Sequence, residues 1–329
     1  MSDSTQPLRY GVIGAGAVGG LYGGMLAKAG REVHFLLHSD HDHVRAYGWR
    51  VESIRGDFHL PGDKLAIHRT ARTMPPCDVT LVGLKTTRNH LLAELLPPPS
   101  SAGGLVLCLQ NGLHSEADAA AVVGPQSVLG GCCFLCCSKV GPGHIRHIDY
   151  GRIVMGEFTS ASEPPAGVTE RLAAVVADMR AAGIDANATE DLWMARWRKL
   201  LWNIPFNGLS VVLNASTREL IDTPVTESLA RAMMQEVFDA AAAWGRSLPA
   251  DAIETTLDHT RQMVPYDSSM RLDFLAGREM ELDAIFAAPI AAGNSVGISM
   301  PRVQTVHRQL QFLDRFANAA RSAVAAPSS

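Results

Sequence analysis

An α/β domain built on a parallel sheet, followed by an all-α domain, is the fold class this sequence predicts. Three observations predict it. Short apolar runs alternate with helical stretches through the first half of the chain. Close-set strand-like segments follow, and from about Thr189 onward no convincing strand occurs.

Arg9 to Ile13 is a short apolar strand, followed directly by Gly14-Ala15-Gly16-Ala17-Val18-Gly19. Val18 to Ala29 is rich in small residues and reads as a helix that stops at Gly30. Glu32 to Leu37 is a second strand, and Val79 to Leu84 and Leu105 to Leu109 are further runs of strand length. Between those two, Arg88 to Leu96 reads as a helix halted by Pro97-Pro98-Pro99. Strand and helix in alternation imply a parallel sheet with helices on both faces. Cys132 to Ser138, His144 to Asp149 and Arg152 to Phe158 are then close-set strands, separated by Gly-Pro-Gly and Tyr150-Gly151 turns. They predict an antiparallel extension of the sheet. Val168 to Ala182 is a helix ending at Gly183.

The rest reads as helices: Glu190 to Asn214, Thr226 to Gly245, Ala252 to Met263, Glu279 to Ala292 and Val303 to Ala319. Thr223-Pro224 and Met300-Pro301 are their candidate starts. The expected domains are therefore 1–188 and 189–329, with a fraying tail after Arg321. The alanine-rich stretch Ala230 to Ala243 packs either in the core or against a second subunit, a possible homodimer.

At 329 residues, the chain has the length of two domains. A net charge of -4 and a pI of 6.3 leave no basic footprint, so neither nucleic acid nor an anionic membrane is an expected partner. Met1 to Arg9 is polar and predicts no leader peptide, and no run reaches the ~20 apolar residues of a membrane span. A cytoplasmic location is expected. Six cysteines are present, four of them within Cys132 to Cys137. A zinc site wants four ligands, and no second C-x-x-C pair exists. On a strand, Cys133 and Cys136 point to opposite faces. The cluster is therefore expected to pack as small apolar residues, with no metal.

The glycine loop sits where dinucleotide binding demands it, after the first strand and at the opening of a helix, so 1–188 is expected to be a dinucleotide-binding Rossmann-type domain and 189–329 a helical substrate and catalytic domain. Gly14 permits the tight turn, Gly16 lets the backbone approach a diphosphate, and Gly19 lets helix and strand pack closely. Gly14, Ala15, Gly16, Ala17, Val18 and Gly19 are thus candidate cofactor residues at the positive end of a helix dipole. A carboxylate ending the second strand would select NAD. The strand instead ends Phe35-Leu36-Leu37-His38-Ser39-Asp40. His38 and Ser39 are placed to face a 2′-phosphate, with Arg45 in reach. NADPH is the expected cofactor, and Asp40 keeps NADH as the alternative.

In the helical half, Lys199, Asn203 and Asn207 recur every four residues and line one helix face among apolar and aromatic neighbours. Pro205 predicts a kink there. Singly, each residue reads as a solvated lysine or a capping asparagine. Together, at a domain junction, they read as a polar comb that a bound substrate would satisfy.

These residues resemble the ketopantoate reductase (2-dehydropantoate 2-reductase) family over nearly the whole chain. The most specific likeness is Trp197-Arg-Lys199…Asn203…Asn207, with Ser268-Ser269-Met270 and Glu281. The Gly loop, Leu84-Lys85-Thr86 and Gln110-Asn111-Gly112 match as well. The resemblance implies NADPH-dependent reduction of ketopantoate to pantoate, on the way to pantothenate and coenzyme A, in an interdomain cleft. It implies Lys199 as proton donor and Glu281 as active-site glutamate, with substrate contacts from Asn203, Asn207 and Ser269. Asn111 and Lys85 match cofactor- and substrate-side residues. One departure is His38, where many members carry an arginine for the 2′-phosphate. The competing readings are a reductase of another small 2-oxo or 2-hydroxy acid and a non-catalytic dinucleotide sensor. The polar comb argues against the sensor.

Overall fold

Tyr10–Ile13 carries no charged side chain, and a strand of that kind is stable only where both of its faces are covered. In the computed structural model, which describes residues 7–325, this strand (β1) is wholly buried inside a ten-stranded sheet. The others are β2 (Val33–Leu36), β3 (Trp49–Ser53), β4 (Phe58–Leu60), β5 (Ala66–His68), β6 (Val79–Val82), β7 (Leu105–Cys108), β8 (Val128–Gly141), β9 (His144–Glu157) and β10 (Asp185–Ala188). Their order is β4-β3-β9-β8-β7-β6-β1-β2-β5, with β10 paired to β9. From β5 to β8 every pairing is parallel. Beyond β8 the sheet is mixed: β9 runs antiparallel to β8 and parallel to β3 and β10. Side chains of the central strands divide between two cores. Val12, Leu81 and Leu107 enter one, and Ile13, Val82, Val106 and Cys108 the other. The sequence expectations for Met1–Arg9 and for the tail after Arg321 fall largely outside the described residues.

Contacts divide the chain into two compact units. One holds the chain to Gln110 together with Ser115–Leu192. The other holds Asn111–His114 together with the chain from Trp193.

The first unit differs from its sequence reading in several places, among them the helices His41–Tyr47 and Ser115–Val123, which were not expected. The three short strands expected between Cys132 and Phe158 are two long ones. Tyr150-Gly151 is not a turn: Leu135 pairs with Tyr150 and Phe134 with Arg152, which leaves Gly151 as the extra residue of a bulge. Its φ of +108° suits that position, and β9 continues through it. The expected Arg88–Leu96 helix is a 3₁₀ segment, Thr86–Leu91, with one α turn, Leu92–Leu95. Strands β3, β4, β5 and β10 were not expected at all.

All six cysteines are buried, and none of them forms a disulfide. Cys133 and Cys137 belong to the core that also holds Leu109 and Ile153. Burial pushes the Cys136 and Cys137 thiols up to about 12, so they behave as packing groups. Among the described residues, no group of three or more His, Cys, Asp or Glu is arranged to hold a metal ion. No helix there is long and apolar enough to cross a membrane.

The second unit is helical. Its main helices are Leu192–Trp202, Gly208–Val212, Thr217–Asp222, Pro224–Ala243, Ala252–Gln262, Ser269–Leu275, Ala288–Ser295 and Pro301–Ala325. Thr217–Asp222 opens on a capping box formed by Ser216 and Glu219. Pro301–Ala325 is capped from a distance: the buried Glu236 carboxylate accepts from the N–H groups of Arg302 and Val303 at 3.1 Å. The single helix expected over Glu190–Asn214 is interrupted by a π-helical turn, Asn203–Asn207. A second π turn, Asp283–Ala287, precedes Ala288–Ser295.

Candidate active site

At the carboxyl end of β1 the chain must turn within one residue. Gly14 does so at φ +90°, where a Cβ would lie 2.3 Å from the backbone nitrogen of Leu84. At Gly19 a Cβ would lie 2.4 Å from the Gly14 carbonyl oxygen, so the helix start is held tightly on the loop. Gly16 has nothing within 4 Å of its would-be Cβ. It caps the helix Ala17–Lys28 without a side chain, and no acidic residue occupies that helix's first turn. An open, uncapped helix start with its dipole unneutralised fits a dinucleotide diphosphate. Strand order also reverses here. β2 and β5 lie to one side of β1 and β6 and β7 to the other, which makes the ends of β1 and β6 a topological switch point. Lys85, partly exposed, starts the 3₁₀ segment just beyond β6. Gln110, beyond β7, braces that rim by donating to the Leu84 carbonyl at 3.0 Å and to Asn89 Oδ1 at 2.6 Å.

At the end of β2, His38 and Ser39 are exposed and Asp40 is buried. The Asp40 carboxylate is engaged away from the strand end. It meets Lys139 Nζ at 2.7 Å and accepts from the Gly143 N–H at 2.8 Å and from Ser39 Oγ at 3.1 Å. Burial would push its carboxyl up. Lys139 and the Gly143 N–H outweigh that and hold it below the usual carboxylate range. Asp40 thus fastens the β8–β9 turn. Arg45 is exposed on the helix His41–Tyr47.

Pro205 explains the first π turn. It has no N–H to give to Leu201, and its ring crowds that carbonyl, so the ladder widens over Asn203–Asn207. Pro289 lies two residues beyond the second π turn, its ring opposing Ile285 within that turn. The polar comb is buried throughout: Lys199, Asn203 and Asn207 are all more than nine-tenths covered. Lys199 Nζ donates to Asn111 Oδ1 at 2.6 Å. Among the described residues, neither amide atom of Asn207 has a hydrogen-bond partner. Ser268 caps the helix Ser269–Leu275 through the Arg271 N–H and meets Ser210 Oγ at 2.8 Å, leaving Ser269 half-buried as the first helical residue. Glu281 is buried just ahead of the second π turn.

Asn111 was expected with the nucleotide domain, yet its segment packs with the helical unit. The Leu113 N–H donates to the Ala284 carbonyl at 2.8 Å. Gly112, at φ +96°, lies so close to Ala284 that a Cβ would come within 2.4 Å of its carbonyl oxygen. The His114 ring meets Trp193 edge-on at 5.1 Å. The segment is thereby pinned to the helix carrying Lys199 and to the π turn following Glu281. Sequence reading missed this clamp; the glycine of Gln110-Asn111-Gly112 was its one visible sign. The helical unit thus buries an ammonium, Lys199, two amides, Asn203 and Asn207, and a carboxylate, Glu281, with the Ser269 hydroxyl half-buried.

A family model described as ketopantoate reductase PanE/ApbA matches residues 10–160, and the model of its C-terminal domain matches 191–314. The chain is 45% identical to a 2-dehydropantoate 2-reductase of Nostoc sp., over 93% of this chain and 95% of that one. The crystal structure of 2-dehydropantoate 2-reductase from Geobacter metallireducens GS-15 is 39% identical, with a TM-score of 0.87 over 92% of this chain and 99% of the other. D-mandelate dehydrogenase, solved with NADH and anilino(oxo)acetate, is 20% identical with a TM-score of 0.82, over 94% of this chain and all of that one; it shares the fold alone.

Proposed function

The chain belongs to the ketopantoate reductase family, and on that premise we propose that it reduces 2-dehydropantoate to pantoate with NADPH, Lys199 acting as proton donor. It is an NAD(P)-dependent oxidoreductase acting on a small keto acid. The observation that carries the proposed roles is the buried Lys199 ammonium, fixed by Asn111 in a helical run that also holds the unpartnered Asn207 amide.

Gly14–Gly19 would hold the dinucleotide, which would supply hydride for the 2-keto carbon. As that carbon is reduced, negative charge builds on its oxygen. The Lys199 ammonium stabilises the charge and then hands over a proton. Asn111 Oδ1 orients the ammonium by accepting a hydrogen bond from it. Asn203 and Asn207 offer amide donors and acceptors to the substrate carboxylate and hydroxyl, Ser269 a hydroxyl and Glu281 an acceptor. NADPH is supported over NADH by the absence of a carboxylate at the end of β2 and by the engagement of Asp40 elsewhere. A cytoplasmic location fits a chain without an apolar spanning helix among the described residues. A homodimer is supported by the half-exposed Leu213 and Leu229, which line an apolar groove.

Lys199→Ala tests the central role. Its kcat is expected to fall by about 10²–10⁴-fold, the usual worth of a positioned acid, with NADPH affinity unchanged. A kcat within a few-fold of wild type would remove Lys199 as the donor.

A further inference from the structure

We infer that Arg69, just beyond the end of β5 beside β2, reads the 2′-phosphate of NADPH in this chain; the inference rests on the proposed NADPH preference. The sequence offers only His38 at the end of β2, and an imidazole carries no permanent charge. The sheet supplies a cation from next door. β2 and β5 run parallel with Leu36 opposite His68, and the Leu37 N–H donates to the His68 carbonyl at 2.8 Å. Arg69 therefore leaves the carboxyl edge of the sheet alongside Leu37 and His38. Its guanidinium bonds Asp42 Oδ1, on the second residue of the helix that follows β2. That contact places its head at the turn after β2, where the adenosine ribose of a dinucleotide on the Gly loop is read.

The resting pair is built to be broken. Arg69 and Asp42 side chains are 55% and 79% exposed, and an ion pair so wet holds weakly. A phosphate presents more acceptor oxygens and more charge than one carboxylate oxygen, and a guanidinium fork matches it. Arg69 can exchange Asp42 for the phosphate without losing a buried partner. Arg45, exposed on the same helix as Asp42 and in reach of a 2′-phosphate by the sequence reading, is the competing cation.

Calorimetric titration of NADPH and of NADH into wild type, Arg69→Ala, Arg45→Ala and Asp42→Asn tests this. Wild type is expected to bind NADPH more tightly. Arg69→Ala is expected to lose about 10–100-fold of NADPH affinity, the worth of a charge-assisted contact, and none of the NADH affinity. Asp42→Asn leaves NADPH binding intact or tighter, and a selective loss of NADPH affinity in Arg45→Ala in place of Arg69→Ala would overturn the inference. If wild type prefers NADPH and Arg69→Ala keeps that preference, the inference falls while the NADPH reading stands. An equal loss of both cofactors in Arg69→Ala also overturns it. A wild type that prefers NADH overturns both.

Discussion

A buried amide with no partner costs about 1–3 kcal/mol, and a fold keeps one only where something else repays it. Asn207 is such a residue, with both its amide atoms unpartnered in an otherwise apolar stretch. If its partner is the substrate, Asn207→Leu removes a liability from the folded chain and a contact from the complex. The variant should melt no lower than wild type, while KM for 2-dehydropantoate rises about 10-fold or more. Thermal scans and steady-state kinetics read the two effects separately; a lower Tm with unchanged KM would make Asn207 a structural residue. The comb was legible in the sequence because Lys199, Asn203 and Asn207 share one local helical period. The Asn111 acceptor was legible only through resemblance. It lies 88 positions from Lys199, and no periodicity links residues that distant.

At the scale of elements, the Gly loop separates folding from binding. Gly14→Ala forces a Cβ against the Leu84 backbone at positive φ, whereas Gly16→Ala meets open space at ordinary φ. Gly14→Ala should therefore lower Tm. Gly16→Ala should keep Tm and lose dinucleotide affinity in titration, because its methyl group fills the space the diphosphate needs. Loss of Tm in Gly16→Ala would contradict that division. At the sheet's edge, His34 Nδ1 and His68 Nε2 face each other at 2.9 Å on β2 and β5, with Glu32 beyond one ring and Thr73 beyond the other. The facing nitrogens have room for one proton. Burial, then the neighbouring His34, lowers the His68 pKa, and burial also lowers those of His147 and His307. A histidine with a depressed folded pKa contributes stability that is complete above its unfolded value of about 6.5 and is lost as pH falls through the folded value. Tm should accordingly hold from pH 8 to 7 and decline from about 6.5 towards 5, above the range where carboxylates titrate; a flat profile across that window would contradict it. The helix-flanked strands were readable because their apolar runs are uninterrupted. β5 and β10 were not, since Ala66–His68 and Asp185–Ala188 are short, part-polar strands that exist only by pairing with β2 and β9. The bulge at Gly151 imitates a turn because both need a residue at positive φ.

For the whole molecule, the change from alternating strands to unbroken helix was plain in composition and period, and it produces two units. Less plain was that a four-residue segment, Asn111–His114, packs with the helical unit although its neighbours in the chain belong to the other. That exchange depends on tertiary contacts, chiefly Leu113 and Gly112 on Ala284, which no local pattern announces. The fold itself is shared with a dehydrogenase of a different acid at 20% identity, so architecture does not choose the substrate and the site residues must. The most direct test is kcat/KM with NADPH for 2-dehydropantoate, set against pyruvate and other branched 2-keto acids and followed by loss of nicotinamide absorbance. The account predicts the highest kcat/KM for 2-dehydropantoate and its collapse in Lys199→Ala. A higher value for another keto acid, or tight NADPH binding with no turnover of any of them, would contradict it.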